Sequence, residues 1–258
     1  MTNPFKHKSD KIMIDFICEN CGHHFKRGVK HVFVHIPTLF DEIKKKPTKH
    51  SPFIIPYEMI CPVCSAINQY KLDIDSSLRI KMAFTTLTIM NKDFSEHNHY
   101  HYTIFGLLDG AERHPIDAIN YYQEEVSKDP DDLKKRILLG NSYRMVGQFE
   151  EAEDQYEQVL DGDKSQLEAW FGLASVHISR NQRRLAKAAL KNIIKNMPEE
   201  PEEEDINYTV VAHFCLNGQI PLEILATDEM MLEEFKEIVK YIKIEKNDSN
   251  QNQNDQHT

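Results

Sequence analysis

Residues 139–160 read LGNSYRMVGQFEEAEDQYEQVL. The second part of this stretch belongs to a series: PIDAINYYQEEVSKDP (115–130), GQFEEAEDQYEQVLDGDK (147–164) and NQRRLAKAALKNIIKNMP (181–198) align without gaps. Ala118, Ala152 and Ala186 fall 34 residues apart, as do Tyr122, Tyr156 and Leu190. Upstream of these, Gly106, Gly140 and Ala174 keep the same step. Pro130 and Pro198 stand two steps apart, with Lys164 between them. Self-similarity at a fixed period marks stacked units, none of which buries its apolar face alone. Small residues sit where helices approach closely, and Leu139, Tyr143, Tyr156, Trp170 and Leu173 fill the gaps as packing residues. The prolines end a helix and turn the chain.

The order Leu139-Gly140-x-x-Tyr143, Gly147, Ala152, Tyr156, then Trp170-x-x-Leu173-Ala174-x-x-His177, Ala186, Leu190, Pro198 resembles the tetratricopeptide repeat. The resemblance covers about residues 99–200 and implies three repeats of two antiparallel helices, 99–132, 133–166 and 167–200. Two positions depart from it. Tyr102-x-x-Phe105-Gly106-x-x-Asp109 keeps the spacing without the closing aromatic, and His177 stands where tyrosine is usual. The family implies a concave binding face built mainly from first helices. Its positions fall at Lys134, Ile137, Asn141, Arg144 and Met145, then at Glu168, Phe171, Ser175 and Ile178. Lys134, Asn141, Arg144, Phe171 and Ser175 are the candidate partner-binding residues. Phe171 follows Trp170, and neighbours on a helix point about 100° apart, so only one of the two can face the core. The basic set by which some members clamp a chaperone's C-terminal carboxylate is absent, so that ligand is not expected.

Two cysteine pairs precede the repeats: Cys18-x-x-Cys21 in ICENCGHHF and Cys61-x-x-Cys64 in MICPVCSAI. Four thiolates so paired make a tetrahedral set, the geometry of structural zinc. Gly22 follows the first pair, where the backbone must turn with positive φ. Pro62 presets one angle of the second. Alternating apolar residues predict strands at Ile12–Ile17, Val32–Ile36, Ile54–Met59 and Gln69–Ile74. The plan is a zinc ribbon. Residues 10–75 also resemble the CpXC domain through ENCGHHF, HVFVHIP, TLFDEI and CPVC, with Ser65 where that family has glycine. A redox role for Cys61 and Cys64 is the alternative, but it calls for a helix starting after the pair, which Ser65–Tyr70 does not offer. His23 and His24 read as surface residues beside four cysteines. His97, His99 and His101 fit either one face of a strand or a polar connector.

Composition sets the remaining bounds. The chain has 258 residues, 40% hydrophobic and 28% charged, as in ordinary soluble proteins. No apolar run spans a bilayer, and MTNPFKHKSDK has no signal-type stretch, so the expectation is a cytoplasmic protein without structural disulfides. The net charge of −10 is uneven: residues 1–72 carry eleven Lys/Arg against six Asp/Glu, the remainder 20 against 35. This argues against nucleic-acid binding by the acidic part and leaves RNA or DNA open as an alternative partner of the ribbon. Lys44, Lys45, Lys46 and Lys49 read as a solvated loop, with no aromatic stacking set between them.

The fold class read from these features is multidomain α+β. A small β zinc-ribbon module (1–80) and a connector (81–98) lead into an all-α superhelix (99–200). An acidic link and capping helices (201–245) and a disordered tail (246–258) follow. The link is PEEPEEED, and Thr227 and Asp228 are N-cap candidates for a helix whose apolar face runs from Met231 to Ile242. No Gly-rich phosphate loop, G-x-S-x-G or His-Glu-x-x-His occurs, and the carboxylates cluster on exposed helix faces. The expected function is a non-enzymatic adaptor for a protein or peptide, with no membrane association.

Overall fold

The computed structural model describes residues 11–90, 99–103, 113–200, 202–217, 222 and 225. A small strand region precedes a series of helices, and the chain divides into two compact units, Met1–Gln155 and Tyr156–Thr258.

In the first unit β1 (Ile12–Cys18) lies between β2 (His24–Val29) and β5 (Tyr70–Leu72), antiparallel to both. The period-two pattern places Ile14, Phe16 and Cys18 on the buried face, while Met13 is half exposed. A second sheet has the order β4 (Phe53–Ile54), β3 (Val32–His35), β6 (Tyr100–Thr103), with β4 antiparallel and β6 parallel to β3. All four β3 residues are buried, as suits a strand covered on both faces. One apolar cluster joins both sheets to the helices described next, including Ile14, Phe16, Val34, Leu39, Ile55, Ile80 and Phe84.

Four local expectations are corrected here. The alternation through Ile36 stops at His35, because Pro37 near the N-terminus favours a helix, α1 (Ile36–Ile43). The expected strand Ile54–Met59 shrinks to Phe53–Ile54. The strand expected to reach Ile74 ends at Leu72, because Asp73 caps α2 (Ile74–Ile89) by accepting from the Ser76 N–H at 2.9 Å. The first period does not open as a helix: Tyr102 lies in β6, opposite Val34. Phe105, Gly106, Asp109 and His97 lie outside the described residues.

The period itself holds. The helices are α3 (Pro115–Lys128), α4 (Leu133–Met145), α5 (Phe149–Gly162), α6 (Leu167–Ser179) and α7 (Arg183–Lys195). Ala152, Ala174 and Ala186 are each 0% exposed and Ala118 1%, so the small residues do stand at close approaches. In the first unit α3 packs on α4, and Gln123 Nε2 donates to Tyr143 OH at 2.6 Å. Two turns match at the 34-residue step. Gly147 (φ +74°) and Asn181 (φ +59°) both adopt the left-handed conformation that ends a helix. The following Gln148 and Gln182 N–H groups donate to Tyr143 O at 3.0 Å and His177 O at 2.7 Å. In the second unit α6 and α7 pack together and against α8 (Glu203–Leu216). The acidic link is shorter than expected, because Glu202 and Asp205 form a capping box that starts α8. Cys215 is buried at 3% exposure, as a small hydrophobe. The helix expected over Met231–Ile242 and the tail lie outside the described residues.

Candidate functional site

β1 delivers Cys18 on its buried phase, and a tight turn returns Cys21 to the same point. The Gly22 N–H donates to Cys18 O at 2.8 Å and the Cys18 N–H to His23 O at 2.9 Å. The second pair repeats this turn: Ser65 N–H to Cys61 O and Cys61 N–H to Ala66 O, each 3.0 Å. Gly22 (φ +72°) and Ser65 (φ +58°) occupy the same left-handed position after each pair. The expected turn glycine is therefore met at the first pair, and serine takes the strained role at the second.

The four Sγ atoms lie within 4.8 Å of one another. The shortest separations run between the pairs, Cys18–Cys64 at 3.6 Å and Cys21–Cys61 at 3.7 Å. A tetrahedral ion with metal–sulfur bonds of about 2.3 Å requires sulfur edges of about 3.8 Å. The donors therefore fit one metal ion, while a disulfide needs about 2.0 Å. Their proton affinities diverge. The Asn20 side-chain amide, 3.4 Å from Cys64 Sγ, and the Ala66 N–H pull the Cys64 thiol down to about 6. At Cys21 the His23 backbone lowers the value, but desolvation and the three neighbouring thiols outweigh it and push it up to about 12. Crowded thiols resist holding several negative charges at once, and a dication removes that conflict. Asn20 was missed in the sequence, since an amide inside a Cys-x-x-Cys carries no pattern of its own.

A second polar cluster ties the strand region to α3. Lys49 Nζ and His50 Nε2 lie 2.6 and 3.1 Å from Asp117 Oδ1. The His50 and His114 rings stack at 4.8 Å, and His35 meets His114 edge-on at 5.2 Å. A pocket of about 280 Å³ beside them is lined by Lys49 and Arg113 but also by Asp41 and Asp117, so it favours neither sign of charge. His114 Nε2 donates to Ser51 O at 3.0 Å, and Nδ1 accepts from the Ile116 N–H at 3.2 Å. Both nitrogens are thus committed in the neutral form. Burial, helped by His35 and His50 and opposed by Ser51 O and Asp117, pushes His114 down to about 4. The unfolded chain takes up this proton near the ordinary value of about 6.5 and the folded one near 4. The unfolded state therefore binds more protons between these values, and stability falls as pH drops. After discounting for solvent screening, the loss should be about 2 kcal/mol. Urea unfolding at pH 7 and pH 4.5 checks this. His114→Gln should flatten the dependence, and an unchanged slope in that variant refutes the assignment.

The candidate partner-binding residues divide between the units. On α4 Lys134 is exposed, and Asn141 and Arg144 are partly exposed. On α6 the Phe171 ring lies 5.2 Å from that of Tyr208 on α8. Ser175 is 1% exposed, so it is a packing residue and offers nothing to a partner. Trp170 is not a fully buried packing residue. It is partly exposed and donates through Nε1 to Lys164 O at 3.0 Å, as an indole N–H near water can. The interior position of that helix is held by Leu167, Ala169, Gly172 and Leu173. Among the described residues no helix is long and apolar enough to cross a membrane.

Residues 143–203 match the tetratricopeptide repeat family model. No curated protein matches the chain. Among solved structures, the first TPR of Spaghetti (RPAP3) bound to the HSP90 peptide SRMEEVD is similar at 14% identity and a TM-score of 0.33. That alignment covers 56% of this chain and 98% of the other.

Proposed function

We propose that this tetratricopeptide-repeat chain is a non-enzymatic adaptor, with a helical face for a protein or peptide and a structural zinc ion at Cys18, Cys21, Cys61 and Cys64. The observation that carries the adaptor reading is the repeated helix–turn–helix plan, with matching turns at Gly147 and Asn181 inside a family match over residues 143–203. Such repeats present extended binding surfaces. The partner-binding candidates are Lys134, Asn141 and Arg144 on α4 of the first unit and, taken separately, Phe171 on α6 of the second; Ser175 drops out. Four sulfur donors favour zinc, and a closed set leaves no coordination position for a substrate. A cytoplasmic setting suits thiols kept reduced.

The test is a capture experiment from native cells with the full chain as bait. Lys134→Glu combined with Asn141→Ala changes two side chains a heptad apart on one face. This variant should lose the captured partner while its melting temperature stays within about 2 °C of the parent. Equal capture by both baits overturns the assignment of this face.

A further inference from the structure

The second cysteine turn is docked onto the α4–α5 turn by residues that flank it on both sides. Asn68 closes the Met59–Asn68 hairpin in the left-handed conformation, φ +54°. Its backbone N–H donates to Met59 O and its Oδ1 accepts from the Met59 N–H, each at 2.8 Å. Its Nδ2 then donates to Gly147 O at 2.9 Å. On the other stem, Tyr57 presents its peptide to the α-carbon of Gly147. A Cβ there would lie 2.4 Å from Tyr57 O and 2.6 Å from Tyr57 C, a distance no side chain tolerates.

The turn conformation does not by itself explain this glycine. Asn181 occupies the same position one period later, at φ +59°, and carries a side chain. What singles out Gly147 is therefore the approach of Tyr57, not the turn.

Met59, 5% exposed, anchors the base of the hairpin in the apolar cluster; its tip has no such anchor. Ile60, Val63 and Ile67 are 42%, 64% and 48% exposed, and a single bridge, Ile60–Ile67, pairs its arms. A short hairpin tip with its apolar side chains in water is marginal on its own. The constraint at the tip is the pair Cys61 and Cys64, which stand between Tyr57 and Asn68. We propose that this hairpin is a metal-dependent latch: metal on the four cysteines rigidifies it, and through Asn68 and Tyr57 it holds the α4–α5 turn and hence the helix that carries Lys134, Asn141 and Arg144. Loss of metal to a chelator loosens the α4 end of the partner-binding face. The inference rests on the metal reading above and adds regulation to it.

The experiment is amide hydrogen exchange on the full chain, with metal content measured on the same sample. Stripping the metal with EDTA should speed exchange across residues 57–70 and also across 143–150 by roughly tenfold, the worth of one lost hydrogen bond. Gly147→Asn keeps the conformation seen at Asn181 and adds a side chain whose Cβ meets Tyr57. Asn68→Gly keeps the left-handed backbone and removes the amide. Both variants should retain metal, show fast exchange at 143–150 from the start, and respond no further to EDTA at those residues. Metal removal that frees 57–70 and leaves 143–150 protected overturns the latch alone. So does full protection of 143–150 in the metal-loaded variants. A chain purified without metal overturns the metal centre and the latch together.

Discussion

Serine at Cys18 and Cys61 is expected to abolish metal binding and to lower the melting temperature of the first unit by roughly 10–20 °C or more. Both cysteines are nearly fully buried, at 1% and 2% exposure, so serine fits the space but removes two of four soft donors. Structural four-thiolate sites contribute on the order of 10–16 kcal/mol of apparent binding energy, as much as a whole domain's net stability of about 5–15 kcal/mol. The apolar cluster around Ile14, Val34 and Ile80 is untouched by the substitutions and moderates the loss. Even a net loss of about 5 kcal/mol produces the stated shift in a unit of this size. Elemental analysis should read one zinc per chain in the parent and none in the variant. A metal-free parent, or a variant that melts with it, refutes the structural role.

Gly172→Ala should destabilise the second unit by about 2–3 kcal/mol, against the direction that helix propensity dictates. In an exposed helix interior the change gains about 1 kcal/mol. Here the added methyl would lie 2.4 Å from Tyr156 Cζ and 2.7 Å from both Cε atoms. Tyr156 is 0% exposed and has nowhere to move. In a close-packed interior the overlap outweighs the propensity. Tyr156→Leu opens room, so the double variant should be more stable than the two single losses added together, by at least about 1 kcal/mol. Thermal unfolding of the four proteins decides it. A Gly172→Ala protein that melts at or above the parent temperature contradicts the packing.

The sequence reading succeeded where the physics repeats. Ala118, Ala152 and Ala186 must all be small, because each meets a neighbouring helix, and that requirement writes a period into the chain. The clustering of the two cysteine pairs was legible for the same reason, since each tight turn brings two sulfurs to one point. Tyr102 misled because residues 102–109 keep the repeat's spacing, while the pairing of β6 with β3 decides the strand. Ser175 misled because a small polar residue suits a groove and a close contact equally well. α2 went unread because its many β-branched residues mimic a strand. Thr85, Thr86 and Thr88 settle their hydroxyls on the carbonyls four residues back, which lets the helix accommodate them. Links such as Asn68–Gly147 and His50–Asp117 join residues far apart in sequence, and no local pattern announces them.

The parallel partnership of β3 with β6 has a temporal meaning. During synthesis the strand at Val32–His35 is made early, yet its parallel neighbour at Tyr100–Thr103 emerges only after α2 is complete. Until then one edge of β3 is open, and an open apolar edge is what stray chains pair with. Asn68 waits longer still, because Gly147 O, the acceptor for its Nδ2, appears near the end of the first unit. Closing such distant contacts carries loop entropy and slows folding. β3 and the Asn68 hairpin are therefore translated before the partners that complete them, and their time with open contacts is set by how long the ribosome takes to reach α5.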